Sequence, residues 1–247
     1  MAHALAELAR RLLPWESGHR REFFRNFLLQ VYFTFVQAAP MIAFTGFVAG
    51  AVLAFQSHVG LALVGTGGQL GKVLVFVVFR EISPLTASVI MIARSVTAIA
   101  AEMATIKVQK ETEALTIMGI SIGHYLTYPR VVGGAVSCAA MAAWFWVAAL
   151  FGGWLGANYA MPYRLDAYLN AVAEAMRPAD FPVFLLKSAL IGGVVTHLAV
   201  KRGLSADGAP YEVPIVTNRA VVDALTAALV LHGLIAVGFY VMFGIDL

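Results

Sequence analysis

The chain has 247 residues, of which 60% are hydrophobic and only 13% are charged. A soluble domain is roughly half apolar and about one quarter charged, so the composition excludes an ordinary soluble protein and predicts an all-α integral membrane protein. The net charge is +3, and the basic residues stand beside apolar runs instead of forming one stripe, which favours an anionic membrane surface over nucleic acid.

Residues 1–27 are predicted to form an amphipathic, interfacial N-terminal segment. Leucines recur at helical spacing between Leu5 and Leu13, and five arginines surround them between Arg10 and Arg25. A helix with an apolar stripe and a basic polar face lies in the plane of the membrane surface. A plain cytosolic tail is the alternative that this pattern leaves open.

Residues 28–247 are predicted to form a transmembrane domain of about five helices, each of which needs roughly 20 residues to cross the bilayer. Pro40 is expected to start or kink a helix, because proline lacks the backbone N–H. The pairs Gly46/Gly50 and Gly152/Gly156 have the small-xxx-small spacing that allows close helix contact. The expected spans lie within residues 28–56, 73–106, 131–159, 181–200 and 220–243.

The basic residues predict the orientation of these spans. Eleven lysines and arginines flank one set of connecting segments, five flank the other, and Arg94 lies mid-span. Cytoplasmic segments carry the excess of basic residues. The N-terminus is therefore predicted to be cytoplasmic and, with five spans, the C-terminus lies on the outer side.

The sequence predicts no catalytic, metal or cofactor site. Residues 65–73 look like a phosphate loop, but Thr66 stands where the first glycine is required and Val73 follows Lys72 where Ser or Thr is required. The histidines lack metal-ligand spacing, and His197 and His232 lie in spans without an acid nearby in sequence, so we expect packed or cavity-facing side chains. Any uphill work would therefore need energy from a partner or an ion gradient.

Four ionisable residues are expected near the outer ends of the second and fourth spans, where charge is costly and marks a pathway or a pairing. Arg80 and Glu81 are adjacent and would point about 100° apart on an α-helix, so each needs a partner on another helix. Asp180 and Lys187 are seven positions apart on one helix face and are plausible partners. Snorkelling to the interface is the alternative.

The connection at residues 107–130 is predicted to contain a short helix. Leu115, Met118 and Ile122 share one face, Glu111 and Glu113 lie on the polar side, and Gly119 suits the helix C-cap. Such a helix could dock on another subunit or could lie at the membrane interface.

Several blocks in this order resemble the MlaE/YrbE permeases, the membrane subunits of MCE-associated ABC transporters for lipids. They are REISPL at 80–85, AEM at 101–103, EALTIMGI at 113–120, YL at 125–126 and PR at 129–130. The resemblance extends from about residue 40 to the C-terminus. Departures include Lys110, Ser121-Ile122 and Glu212-Val213-Pro214, and Ile235 stands where some members have a buried acid. These departures leave the substrate identity open.

The resemblance implies a phospholipid-class substrate and a multi-pass protein of the bacterial inner membrane with a periplasmic C-terminus. It implies a cytoplasmic ABC ATPase that uses ATP and Mg²⁺, a periplasmic MCE-domain protein, and a second permease copy in a homodimer or a paralogous heterodimer. The lipid-pathway role would fall on Arg80, Glu81, Asp180 and Lys187. The ATPase-coupling role would fall on Glu102, Glu111, Glu113, Leu115, Met118 and Gly119.

Two other classes of function are alternatives to a lipid permease. A secondary transporter driven by ions would be expected to show paired half-helices and an internal repeat, neither of which the sequence clearly contains. A scaffold that only assembles a membrane complex would keep its partners when the outer charges are neutralised.

Overall fold

The computed structural model describes residues 17–64, 70–160 and 164–243, and within these ranges it contains helices and no strand. In this part of the chain, five helices are long and apolar enough to cross a membrane: Glu22–Ser57, Gly71–Val108, Gly123–Tyr159, Asp180–Gly203 and Glu212–Phe239. They are called the first to fifth spans. The all-α membrane fold with five spans is confirmed, whereas most of the predicted interfacial segment and the glycine-rich residues 65–69 lie outside the described ranges.

The helices are built as follows. The first span lies within the helix Ser17–Val31, a π-helical turn at Tyr32–Val36 and the helix Ala39–Val64, and the two helices extend beyond its ends. The second joins Leu70–Val73, Ser83–Met91 and Thr97–Val108 through π-helical segments at Leu74–Ile82 and Ile92–Val96. The third contains the π-helical Gly123–Thr127 followed by Tyr128–Ala160. The fourth is Asp180–Gly203, and the fifth helix is Glu212–Phe243. Among the described residues, two short helices lie between spans: Glu111–Ile117, the connecting helix, and Leu165–Ala175, the loop helix.

Prolines account for three of the four π-helical segments in the described chain. A proline inside a helix cannot donate to the carbonyl four residues earlier, and its ring clashes with that carbonyl. The residue four positions before the proline is Val36 for Pro40, Arg80 for Pro84 and Tyr125 for Pro129. Each of these three residues lies inside a π-helical segment. The widened turn relieves the clash. The remaining π-helical segment, Ile92–Val96, has no such proline. There the Thr97 hydroxyl donates to the carbonyls of Ala93 and Arg94.

The third and fifth spans differ most from their predicted starts, each beginning eight residues earlier. The third begins at Gly123 instead of 131 and the fifth at Glu212 instead of 220. Pro214 is the third residue of the fifth helix, where a backbone N–H has no intrahelical acceptor and its loss costs little. Glu212 in the same turn favours the positive end of the helix dipole. At the N-terminus, the helix Ser17–Val31 continues through residue 27, the predicted boundary of the interfacial segment.

The two glycine pairs make close helix contacts, as predicted, and these contacts join the first and third spans. A Cβ on Gly46 would lie 2.6 Å from the Phe145 carbonyl oxygen, and one on Gly152 or Gly156 would collide with the backbone of Phe47 or Ala51. Only glycine lets these backbones approach so closely. The fourth span packs against the second, third and fifth.

The loop helix is an element that the sequence analysis did not predict. It packs on the start of the second span, where a Cβ on Gly71 would collide with the Ala171 backbone. Tyr168 is buried and donates its hydroxyl to the Leu150 carbonyl of the third span at 3.2 Å. Burial raises the pKa of Tyr168, so the hydroxyl remains a donor well into the alkaline range. The loop helix therefore caps this end of the bundle.

Candidate functional site

Arg80, Glu81, Asp180 and Lys187 meet between the second and fourth spans and are called the charge network. Arg80 Nη2 lies 2.9 Å from Asp180 Oδ2, and Lys187 Nζ lies 2.9 Å from Glu81 Oε2. Both contacts join the two spans, so the structure pairs all four residues as the sequence analysis proposed. Their role in a lipid pathway remains a prediction.

The Arg80–Asp180 pair is buried and held from several sides. The Asp180 side chain is fully buried, and its Oδ2 also accepts the backbone N–H of Arg177 at 2.9 Å. The Arg80 guanidinium lies 5.9 Å from the ring centroid of Phe76 and 5.2 Å from that of Phe239, which is within cation–π range. These contacts fix the guanidinium between the second, fourth and fifth spans.

Pro84 explains why Lys187 can reach both residues of the adjacent pair. The Arg80 carbonyl would accept the N–H of residue 84 in a regular helix, but Pro84 has none. Lys187 Nζ donates to this carbonyl at 3.1 Å as well as to Glu81 Oε2. The π-helical turn also reduces the angle between adjacent side chains below the α-helical value. Arg80 and Glu81 can therefore both face the fourth span.

The fifth span contributes a contact that the sequence analysis missed. His232 Nε2 lies 2.8 Å from Glu81 Oε2, the same oxygen that accepts from Lys187. An ionised carboxylate only accepts hydrogen bonds, so Nε2 carries the hydrogen in this contact. The acid that pairs with His232 is Glu81, which lies on a different span and far away in sequence. Their proximity is therefore not apparent from the residues that neighbour His232 in the chain.

A small cavity lies against the charge network. It is lined by the four network residues and by Val183, Phe184, Ile235, Ala236 and Phe239. Its volume is about 20 Å³. That is room for about one water molecule, so a phospholipid headgroup does not fit. In this arrangement each of the four charges is paired across the two spans, although Arg80 Nε and Asp180 Oδ1 are buried without a hydrogen-bond partner.

A separate polar contact lies between the charge network and the opposite end of the second span. Arg94 Nη2 donates to Gln37 Oε1 at 2.5 Å, at the break between the two helical parts of the first span. This pairing is to a neutral amide, and Arg94 does not pair with Glu102, which lies eight residues later in the same span. Glu102 instead pairs with Arg130 of the third span at 2.7 Å.

The connecting helix ends as the sequence predicts. Gly119 has φ +75°, its N–H bonds to the Thr116 carbonyl at 3.0 Å, and the Ile120 N–H bonds to the Leu115 carbonyl at 2.9 Å. These two bonds form a Schellman motif, which requires a left-handed residue that glycine supplies without strain. Glu111 and Glu113 lie in the first turn and are exposed.

The apolar side chains of the connecting helix divide between two grooves. Leu115 and Met118 face a cleft of about 600 Å³ that is also lined by Glu102, Arg130 and residues 26–33 of the first span. Ile117 and Ile122 line a second groove of about 360 Å³. The prediction that Ile122 shares a face with Leu115 and Met118 is therefore wrong, because the chain turns at Gly119. Ile117 is 87% exposed and Met118 64%, and the sequence analysis missed Ile117.

The described residues contain no group of three or more His, Cys, Asp or Glu side chains placed to hold a metal ion. The charge network and the connecting helix are at opposite ends of the second span, about 30 residues apart in sequence. A helix rises about 1.5 Å per residue, so these two regions cannot form one site. One end carries paired buried charges, and the other carries exposed apolar and acidic side chains.

Comparison with known proteins gives consistent matches. The family model described as "Permease MlaE" matches residues 27–237. The "Probable ABC transporter permease protein" of Rickettsia conorii is 27% identical over 211 residues, 85% of this chain and 82% of the relative. The "Intermembrane phospholipid transport system permease protein MlaE" of Haemophilus influenzae is 24% identical over 230 residues, which cover 91% of this chain and 85% of that relative. The chloroplast protein TRIGALACTOSYLDIACYLGLYCEROL 1 of Arabidopsis thaliana is 24% identical over 201 residues, 81% of this chain and 57% of that protein.

Proposed function

The chain belongs to the MlaE permease family and is the permease subunit of an ABC transporter, and we propose that it moves phospholipids, driven by a separate cytoplasmic ATPase. The name of the Haemophilus influenzae relative refers to intermembrane phospholipid transport, which supports this substrate class. The charge network supports it too, because two cations and two anions at one site suit a headgroup that carries phosphate and ammonium charges.

The observation that carries the ATPase partner is the exposure of Ile117 and Met118 on a short helix whose first turn is acidic. An apolar patch that faces solvent is unfavourable unless another surface covers it. The connecting helix is the natural contact for a cytoplasmic subunit, because eleven of the basic residues flank the segments at this end. In this orientation the N-terminus is cytoplasmic and the C-terminus is periplasmic.

The same orientation places the charge network toward the periplasm of the bacterial inner membrane. A periplasmic MCE-domain protein would then exchange lipid with the permease at this end, and a second permease copy would complete the pathway. The exposed apolar side chains along the fifth span, Val222, Leu229, Val230, Leu234 and Val237, are suited to lipid or to that second copy. The chain itself supplies no ATPase chemistry in this proposal.

The test is purification of the complex from native membrane, with mass spectrometry of the proteins and lipids that co-purify. The complex is then reconstituted in vesicles, and transfer of a labelled phospholipid to an acceptor is measured with ATP and with a non-hydrolysable analogue. We expect a co-purified ATPase and transfer that requires hydrolysis. Transfer that follows an ion gradient and ignores ATP would instead favour a secondary transporter.

A further inference from the structure

The fifth span is packed tightly in one half and loosely in the other. Ala220, Ala224 and Ala228 recur every four residues and are almost fully buried. From residue 229 to residue 239, which we call the distal half, no residue is fully buried. Small residues at this spacing let helices approach closely and hold them by close packing. The proximal half is therefore fixed, and the distal half depends on other contacts.

Two contacts join the distal half to the charge network. His232 donates to Glu81 Oε2 at 2.8 Å, and the Phe239 ring lies 5.2 Å from the Arg80 guanidinium carbon. The two residues are seven positions apart, which is close to two helical turns, so both face the network. His232 therefore contacts Glu81 and Phe239 contacts Arg80, the two adjacent residues of the second span.

The distal half also closes the cavity beside the network. Ile235 and Ala236, which lie between the two contact residues, line that cavity of about 20 Å³ together with Glu81 and Lys187. A headgroup can reach the network from this side only if the distal half moves away. The fixed alanine contacts and the loosely packed distal half allow such a tilt without unfolding the helix.

We propose that His232 is a positioning residue for transport: with Phe239 it forms a latch that holds the distal half of the fifth span over the charge network. Opening the latch exposes Glu81 and Lys187 to a lipid headgroup, and closing it restores the buried pairs. His232 fits this role because it shares one carboxylate oxygen with Lys187, so Glu81 keeps Lys187 as a hydrogen-bond donor when the latch opens. The inference rests on the proposed function.

The test measures opening directly and does not depend on transport. A cysteine is placed at Ala236, inside the cavity, and its labelling rate by a small thiol reagent is measured in the reconstituted complex; native Cys138 is buried. We expect His232→Leu to raise the rate about tenfold, the factor that corresponds to one hydrogen bond to a charged group. His232→Gln keeps an N–H donor and should restore the slow rate.

Two further variants separate the latch from a general loss of packing. Phe239→Leu keeps an apolar side chain but removes the ring over Arg80, and should raise labelling by a smaller factor. Gly233→Ala is the matched control, because a Cβ there meets no atom within 4 Å and the position is beside His232; it should label like the parent. Labelling that is equal in the parent, His232→Leu and Phe239→Leu would overturn the proposal.

Transport provides the second readout. With His232→Leu we expect phospholipid exchange that no longer requires ATP, and with His232→Gln we expect exchange that still does. If the parent complex moves no phospholipid while labelling responds as expected, the proposed function fails and the latch stands. If His232→Leu and His232→Gln lose ATP-driven transfer equally and label alike, the histidine is structural only.

Discussion

Removing one member of the Glu81–Lys187 pair is expected to cost more stability than replacing both. The Lys187 side chain is only 4% exposed, and Nζ bonds to Glu81 Oε2 and to the Arg80 carbonyl. Glu81→Ala leaves the buried ammonium with the carbonyl alone. Breaking a buried pair in this way costs about 3–5 kcal/mol, and because Glu81 is 28% exposed we expect the lower end, about 3 kcal/mol.

The double variant Glu81→Leu with Lys187→Met tests the reasoning. It removes both charges and keeps the volume, so it should be less destabilised than either single variant, since apolar replacement of a buried pair is often close to neutral. The swap of Glu81→Lys with Lys187→Glu should recover only part of the loss. A glutamate at 187 cannot donate to the Arg80 carbonyl, and a lysine at 81 would meet His232, which is also a donor.

The assay is equilibrium unfolding in detergent, followed by ATP-driven lipid transfer in vesicles. Lys187→Gln separates a structural pair from snorkelling, because a snorkelling lysine tolerates this change with normal stability and transfer. If Glu81→Ala, Lys187→Gln and the double variant all unfold like the parent, the pair contributes nothing measurable and the argument from burial is refuted.

Four further predictions follow from other parts of the structure. Met118→Asp should prevent ATPase binding while the chain still inserts, as measured by co-purification; an intact complex with normal ATPase activity would contradict the docking role. Gly152→Val should destabilise the bundle by a few kcal/mol, because the side chain meets the Phe47 backbone, and unfolding measures it. A cysteine at Asp166 should react with an impermeant external reagent and one at Asp207 should not; both positions are exposed, so reversed labelling would overturn the orientation. The isolated chain should not bind or hydrolyse ATP, which a nucleotide-binding assay checks.

The sequence predicted the fold because the signals for it are local. Five apolar stretches of sufficient length, two glycine pairs and a glycine at a helix end depend only on neighbouring residues. The loop helix also had a local signal, since Leu165, Tyr168, Leu169 and Val172 recur at helical spacing. The early starts of the third and fifth spans were harder to predict, because prolines near a helix start look like helix breakers in the sequence alone.

The site could be predicted only in part. Charge balance indicated that Arg80, Glu81, Asp180 and Lys187 form one network, but the choice of partners depends on the π-helical turn that Pro84 imposes. His232 could not be found, because no property of the fifth span alone indicates that Glu81 faces it. Burial could not be predicted from the sequence either. Ala206 looks like a loop residue, yet it packs against Ala104 and Val216. A cysteine there would be shielded from a labelling reagent whatever the orientation of the chain in the membrane.

The net charge of the charge network affects how a lipid headgroup would bind there. By resemblance, some family members have an acid where Ile235 stands, and Ile235 lines the cavity here. An acid at that position would leave the network with an extra negative charge, whereas the two bases and two acids of this chain balance one another. A balanced network can close without substrate, so a headgroup must displace internal pairs before it binds. On the proposed function, opening of the fifth span, and not attraction of the headgroup, is then the step that ATP hydrolysis would drive. We therefore expect headgroup charge to change the transfer rate less than His232→Leu changes its dependence on ATP, and vesicles of anionic and zwitterionic phospholipid compared side by side would show the reverse if attraction were the driving step.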